Sequence, residues 1–99
     1  MNNNFPNSFK YSVIFSTNFK KDYKTIKKRR FKLPKLFKVI AMLANDEPLP
    51  AKYRNHALSG KWSGYYECHI APDWLLVYKK ENDILVLTLT RTGTHADIF

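Results

Sequence analysis

Between Gly64 and Arg91 the chain holds three apolar segments, GYYECHIA, WLLVYKK and ILVLTLTR, separated only by Pro72-Asp73 and by Glu81-Asn82-Asp83. Their aromatic and β-branched content reads as strands, and Pro, Asn and Asp supply the turn chemistry between them. Connections this short do not admit a crossover, so neighbouring strands must run antiparallel. The C-terminal part is therefore a three-stranded meander.

Upstream the period is helical. KYSVIF first places Tyr11, Val13 and Phe15 on one side of a short strand and Ser12, Ile14 and Ser16 on the other. Ser16, Thr17 and Asn18 then offer N-cap oxygens to a helix carrying Phe19, Tyr23 and Ile26 on its packed side. Pro34 disfavours helical geometry at Leu33 and fits the first turn of a new helix. Leu33, Leu36, Phe37, Ile40, Leu43 and Ala44 form the apolar stripe of that second helix, which NDEPLP ends. Residues 51–63 read as a loop. The fold class expected is a small α+β domain, in the order strand, two helices, three strands, with the helical hairpin packed on a twisted, mainly antiparallel sheet.

With 99 residues there is length for one modest core, so residues 10–99 are read as a single domain and residues 1–9 as a polar, Pro-containing tail. A single cysteine, Cys68, excludes an intrachain disulfide and a Cys-rich zinc site and agrees with a reducing compartment. The N-terminus shows no secretory pattern, and no stretch approaches the roughly 18 apolar residues of a membrane span. These observations point to the cytoplasm, with no membrane partner.

The charge is lopsided: 17 Lys plus Arg against 8 Asp plus Glu, a net +9, favours a polyanionic partner. Ten of the 17 basic residues lie between Lys20 and Lys38, where Asp22 is the only acid. Such a run is ordinarily a solvated helix face. The three histidines, His56, His69 and His95, all fall in the C-terminal part, each at a loop or strand end and none in a helix. In a meander the first turn, with Asp73, and the end of the last strand, with Arg91 and His95, project to one edge of the sheet. Groups that titrate near neutrality, a fixed cation and a basic surface suit transesterification of RNA by its own 2′-hydroxyl. A base takes the hydroxyl proton, an acid protonates the departing 5′-oxygen, and a cation stabilises the phosphorane. That reaction needs no metal or small-molecule cofactor, and the histidine spacings match no compact metal-ligand motif. Taken singly, each histidine reads equally as a surface residue, Arg91 as an ion-pair partner, and Trp62 and Trp74 as packing.

Three stretches carry a resemblance. HIAPDWLLVYK, Trp62-Ser63-Gly64-Tyr65 and the closing RTGTHADIF resemble the YafQ-like branch of the RelE/ParE toxin superfamily, over about Lys10 to Phe99. The resemblance implies a ribosome-dependent mRNA endoribonuclease, the toxin half of a type II toxin–antitoxin pair, silenced by a cognate antitoxin. It marks His56, His69, Asp73, Trp74, Arg91, His95 and Phe99 as functional positions. The implied roles are His95 as general acid, Asp73 or His69 as general base, Arg91 on the scissile phosphate, and Trp74 and Phe99 at the nucleotide. Under this reading Lys20, Lys21, Lys24, Lys27, Lys28, Arg29 and Arg30 grip ribosomal RNA through phosphate contacts. Two other classes carry the same fold or charge: a non-nucleolytic, ParE-like toxin that poisons gyrase, and an RNA-binding module without cleavage.

Overall fold

The computed structural model describes residues 8–99. The chain runs through β1 (Ser12–Phe15), α1 (Thr17–Lys28), α2 (Leu33–Ala44), β2 (His56–Ala57), β3 (Tyr66–Ala71), β4 (Trp74–Glu81), β5 (Val86–Gly93) and α3 (His95–Ile98). Single 3-10 turns occupy Ala51–Tyr53 and Gly60–Trp62. The strands form one five-stranded sheet in the order β1-β5-β4-β3-β2. The α+β class and the hairpin-then-meander order are as expected. The structure adds β2 inside the segment read as a loop, and α3 after the last strand. Of the expected N-terminal tail, residues 1–7 lie outside the described residues, whereas Phe9 packs against the core.

Each helix begins where its residues dictate. Ser16 Oγ accepts the Phe19 N–H at 3.0 Å, the N-cap of α1, and donates to the Thr90 carbonyl at 2.7 Å, tying the helix start to β5. Phe19 and Ile26, two turns apart, are buried, and α1 closes at Arg29, after which Arg30 takes a left-handed φ of 60°. Pro34 sits in the first turn of α2, which buries Leu36, Val39, Ile40, Leu43 and Ala44. Val39 joins the predicted stripe, while Leu33 and Phe37 pack only partly.

β4 is the middle of the sheet and is buried on both faces from Trp74 to Tyr78. Trp74, Leu76 and Tyr78 meet the helical core together with Cys68 and Ile70 of β3 and Leu87 and Leu89 of β5. Burial of the Cys68 side chain pushes its thiol up to about 12, with Glu67 adding to the shift, so it is inert at neutral pH. Leu75 and Val77 are also inaccessible, on the opposite face.

β1 pairs with β5 in parallel, Ser12 opposite Val86 through Phe15 opposite Leu89. A parallel pair requires a long connection, which the helices and meander provide. β1 stops at Phe15, so among the described residues β5 beyond Leu89 has no strand on that side. There Asp22 of α1 replaces the missing neighbour: its carboxylate accepts the Thr92 N–H at 3.0 Å and the Arg91 Nε–H at 2.7 Å. The lone acid of the basic run thus satisfies a strand edge and holds a guanidinium beside the sheet end where the candidate site lies.

Candidate active site

Alternation along β3 sends Cys68 and Ile70 into the helical core and leaves Glu67 and His69 on the other face. His69 stands opposite Leu75, Glu67 opposite Val77 on one side, and His56 of β2 opposite Glu67 on the other. The Glu67 carboxylate consequently lies between two imidazoles, 3.8 Å from His56 Nε2 and 3.5 Å from His69 Nε2. Glu67 is 5% exposed, so this carboxylate is largely removed from water, with His69 Nε2 the nearer ring nitrogen able to donate to it. His56 Nδ1 lies 2.7 Å from the Arg54 carbonyl; as the donor there, it turns Nε2 toward Glu67. His69 Nδ1 is buried without a hydrogen-bond partner among the described residues. An Nε2–H facing the Glu67 carboxylate leaves the lone pair on Nδ1, inside the fold.

The third histidine arrives from the far end of the meander. Leu75 pairs with Gly93, which sets the start of β4 beside the end of β5. The turn residue Asp73 therefore meets His95, accepting its backbone N–H at 3.2 Å and standing 3.4 Å from its Nδ1. Asp73 orients the ring so that Nε2 is the nitrogen left for a substrate. The rings then form a row: His56 and His69 centroids lie 6.4 Å apart, His69 and His95 6.1 Å, and His95 and Phe99 6.1 Å. Trp62 meets Phe99 edge-on at 5.7 Å.

His95 opens α3 instead of lying in a loop, and hydrogen bonds around Asp97 hold it there. Thr94 and Asp97 make a reciprocal capping box, Thr94 Oγ1 accepting the Asp97 N–H and Asp97 Oδ2 accepting the Thr94 N–H at 2.9 Å. Arg29 reaches over from the end of α1 to both Asp97 oxygens, at 2.8 and 3.2 Å, and Arg91 Nη2 donates to the Asp97 carbonyl at 3.3 Å. Gly93, at φ +148°, is required by this packing, because a Cβ there would stand 2.9 Å from Asp97 Oδ2.

The Arg29 hydrogen bond, helped by the Thr94 N–H, holds the Asp97 carboxyl well below its ordinary 3.8, at about 2. A depressed folded pKa contributes stability above the ordinary carboxylate range and loses it as pH falls through the folded value. The clasp is thus expected to be intact at pH 5 and above, weakening from about pH 4 toward about pH 2. The Thr94 amide resonance, followed by NMR down this range, is expected to move upfield with a midpoint near the lower end; a midpoint at an ordinary carboxylate value would show Asp97 free of Arg29.

The sequence profile of the family described as "Bacterial toxin of type II toxin-antitoxin system, YafQ" matches residues 11–99. The chain belongs to this family of toxins. It is 42% identical over 88 residues to the mRNA interferase toxin YafQ of Escherichia coli, a match covering 88% of this chain and 94% of that protein. The fold is similar to YafQ in the crystal structure of the E. coli DinJ–YafQ complex, at TM-score 0.83 and 40% identity, covering 90% of this chain and 98% of that one. A metal-bound toxin from Helicobacter pylori superposes at TM-score 0.85 and 39% identity, covering 90% and 99% of the two chains. In the present protein no cluster of three His, Cys, Asp or Glu side chains is arranged to hold a metal ion among the described residues.

The family positions expected from the sequence fall together only in part. His56, His69, Asp73, His95 and Phe99 share one edge and one face. Arg91 stands opposite Val77, in the cross-strand row of Glu67, with its Nε and Nη2 occupied by the Asp22 carboxylate and the Asp97 carbonyl. Trp74 is a core residue, 4% exposed, edge-on to Phe31 at 5.0 Å with its Nε1–H on Thr92 Oγ1; it supports the site from below and presents no open stacking face. Arg29 is drawn out of the basic helix face into the clasp with Asp97. Lys20, Lys24, Lys27 and Lys28 remain exposed along α1, as does Lys21. Sequence patterns do not single out Glu67 and Asp97 as site residues, although each leaves a signal: Glu67 lies two residues before His69 on a strand, and Thr94-x-x-Asp97 has capping-box spacing.

Proposed function

We propose that this chain is an mRNA interferase, the toxin of a type II pair, which cuts ribosome-bound message by metal-independent attack of the 2′-hydroxyl on the adjacent phosphate. The observation that carries this is the alignment of His95, oriented by Asp73, with His69, oriented by Glu67, along one open edge. Asp73, exposed beside His95, or His69 takes the 2′-hydroxyl proton as the 2′-oxygen bonds to phosphorus. His95 delivers a proton from Nε2 to the 5′-oxygen as the P–O5′ bond breaks, leaving a 2′,3′-cyclic phosphate and a 5′-hydroxyl. Arg91 keeps Nη1 for the phosphate while its other nitrogens are tied down, so the cation is positioned before substrate arrives. Phe99, more than half exposed beside His95, offers its ring to the base next to the cut. His56 completes the row by holding Glu67 from the other side.

Two macromolecular partners follow. The exposed lysines of α1 dock on ribosomal RNA by phosphate contacts, and the net positive charge suits a cognate antitoxin with acidic segments, in the place DinJ has for E. coli YafQ. The site of action is the cytoplasm, where translating ribosomes are; among the described residues no helix is long and apolar enough to cross a membrane.

Induced expression followed by mapping of message 5′ ends in translating cells tests the reading. Cuts in frame within codons are expected; growth arrest with intact messages would identify a binding-type toxin instead. The docking role has its own test in Lys20→Gln/Lys24→Gln/Lys28→Gln. This variant is expected to bind ribosomes more weakly, with a flatter dependence on salt. Unaltered association would return the α1 run to an ordinary solvated face.

A further inference from the structure

Beside the catalytic edge, between α2 and the β3–β4 turn, lie two adjoining clefts of about 490 and 320 Å³ that share Lys35 and Ala71 as common wall. Together they make one trough. Its cations are Arg30, Lys32 and Lys35 at one end and Lys38, Lys52 and Arg54 at the other. None of the six takes part in an ion pair among the described residues, whereas Lys10, Lys80, Arg29 and Arg91 each hold a carboxylate. Asp73 is the one acid in the lining and stands against His95, while Asp22 is committed to Arg91, Asp46 to Lys10 and Lys80, and Asp97 to Arg29. Unneutralised cations gathered along a groove raise the local potential and attract a polyanion.

The trough is joined to the catalytic row at three points. Asp73 lines the smaller cleft and meets His95. His69 lines the larger one. Arg54, at a left-handed φ of 50°, lines it too, and its own carbonyl meets His56 Nδ1. The opening exists because β2 is only two residues long, pairing with Tyr66 and Glu67, so among the described residues no strand covers the outer edge of β3 beyond Glu67.

We propose that this trough carries the sugar–phosphate backbone of the single RNA strand flanking the scissile phosphate, with Lys35, Lys38 and Lys52 holding its phosphates. The inference rests on the ribonuclease reading, since it is the strand cut at His69 and His95 that must leave along this path. Phosphate contacts position a strand without reading its bases, which suits an enzyme whose row of imidazoles needs one phosphate in register.

The test measures binding of a 2′-O-methyl oligouridylate, which lacks the attacking hydroxyl, to the whole protein by fluorescence anisotropy over a salt series. Lys35→Gln/Lys38→Gln/Lys52→Gln is expected to bind at least about tenfold more weakly, with the slope of log K against log salt reduced by about 2, roughly 0.7 for each phosphate no longer neutralised. Lys10→Gln/Lys79→Gln/Lys80→Gln, with the same change in net charge at positions outside the trough and the row, sets the effect of charge alone. A charge-control variant as impaired as the trough variant, no measurable binding by the wild type, or a trough that binds oligoglutamate while RNA affinity ignores its lysines would each overturn the proposal. The last result would assign the trough to an acidic protein segment. A trough variant that binds RNA normally while wild-type protein still cuts translated message would end this inference and leave the nuclease reading standing; intact messages would end both.

Discussion

Replacing His95 by alanine is expected to lower message cleavage by about 10² to 10⁴, the contribution of one positioned acid, while thermal stability changes by no more than about 0.5 kcal/mol. The separation of the two effects follows from where the ring sits. Its side chain is 59% exposed and meets Asp73 and the neighbouring rings of His69 and Phe99, none of which belongs to the buried core. The backbone N–H that also holds Asp73 survives the substitution, so the turn and the strand end stay together. Glu67→Gln provides the matching test at the other end of the row. It preserves shape but removes the charge that faces His69, and a loss of at least about tenfold is expected. Cleavage at wild-type rates by folded His95→Ala protein would remove His95 from the chemistry. Wild-type cleavage rates in Glu67→Gln would reduce Glu67 to a packing role.

The second large effect is expected at a residue that has no side chain in the row. Gly93→Ala puts a methyl group 2.9 Å from Asp97 Oδ2 on a backbone that L side chains rarely adopt. Strain of this kind costs about 1–3 kcal/mol. The chain can relieve it only by moving Asp97, which carries the cap of α3 and the bond from Arg29. His95 and Phe99 move with it, and a misplacement of about 1 Å at a reacting group costs on the order of 10² in rate. Melting temperature and message cleavage measured on one preparation are therefore expected to fall together in Gly93→Ala, whereas His95→Ala loses only cleavage. Full activity at an unchanged melting temperature would mean that α3 tolerates displacement and that the clasp does not position the acid.

These two substitutions divide the C-terminal segment RTGTHADIF by function. Gly93, Thr94 and Asp97 build a short capped helix, Arg91 braces it from the strand, and His95 and Phe99 are what the helix displays. Arg29 completes the brace from α1, so the first helix of the chain locks the last. The same segment shows why one basic residue in a lysine-rich run differs from its neighbours: Arg29 lies at the end of α1, level with Asp97, and the lysines before it face water.

Much of this was legible in the amino-acid sequence, because it depends on neighbours along the chain. Period and turn residues specified the helical hairpin and the meander; Ser16 and Pro34 marked the helix starts; the shortness of the Pro72-Asp73 turn brought Asp73 to the edge that His95 leaves. Other features depended on residues far apart along the chain, which no local pattern encodes. The parallel pairing of β1 with β5 was one, since strands at opposite ends of the domain leave their register to the packing of the whole sheet. Asp22 as the partner of Arg91 and Thr92 was another, decided by β1 ending too early to cover β5. Trp74 became core and Phe99 surface for the same reason: burial is a property of the assembled layers, and both are simply aromatic in the sequence. The sequence by itself determined the elements, their order and the identity of the imidazoles; only the tertiary structure decided which carboxylate meets which ring, because hydrogen-bond partners are set by distance in space.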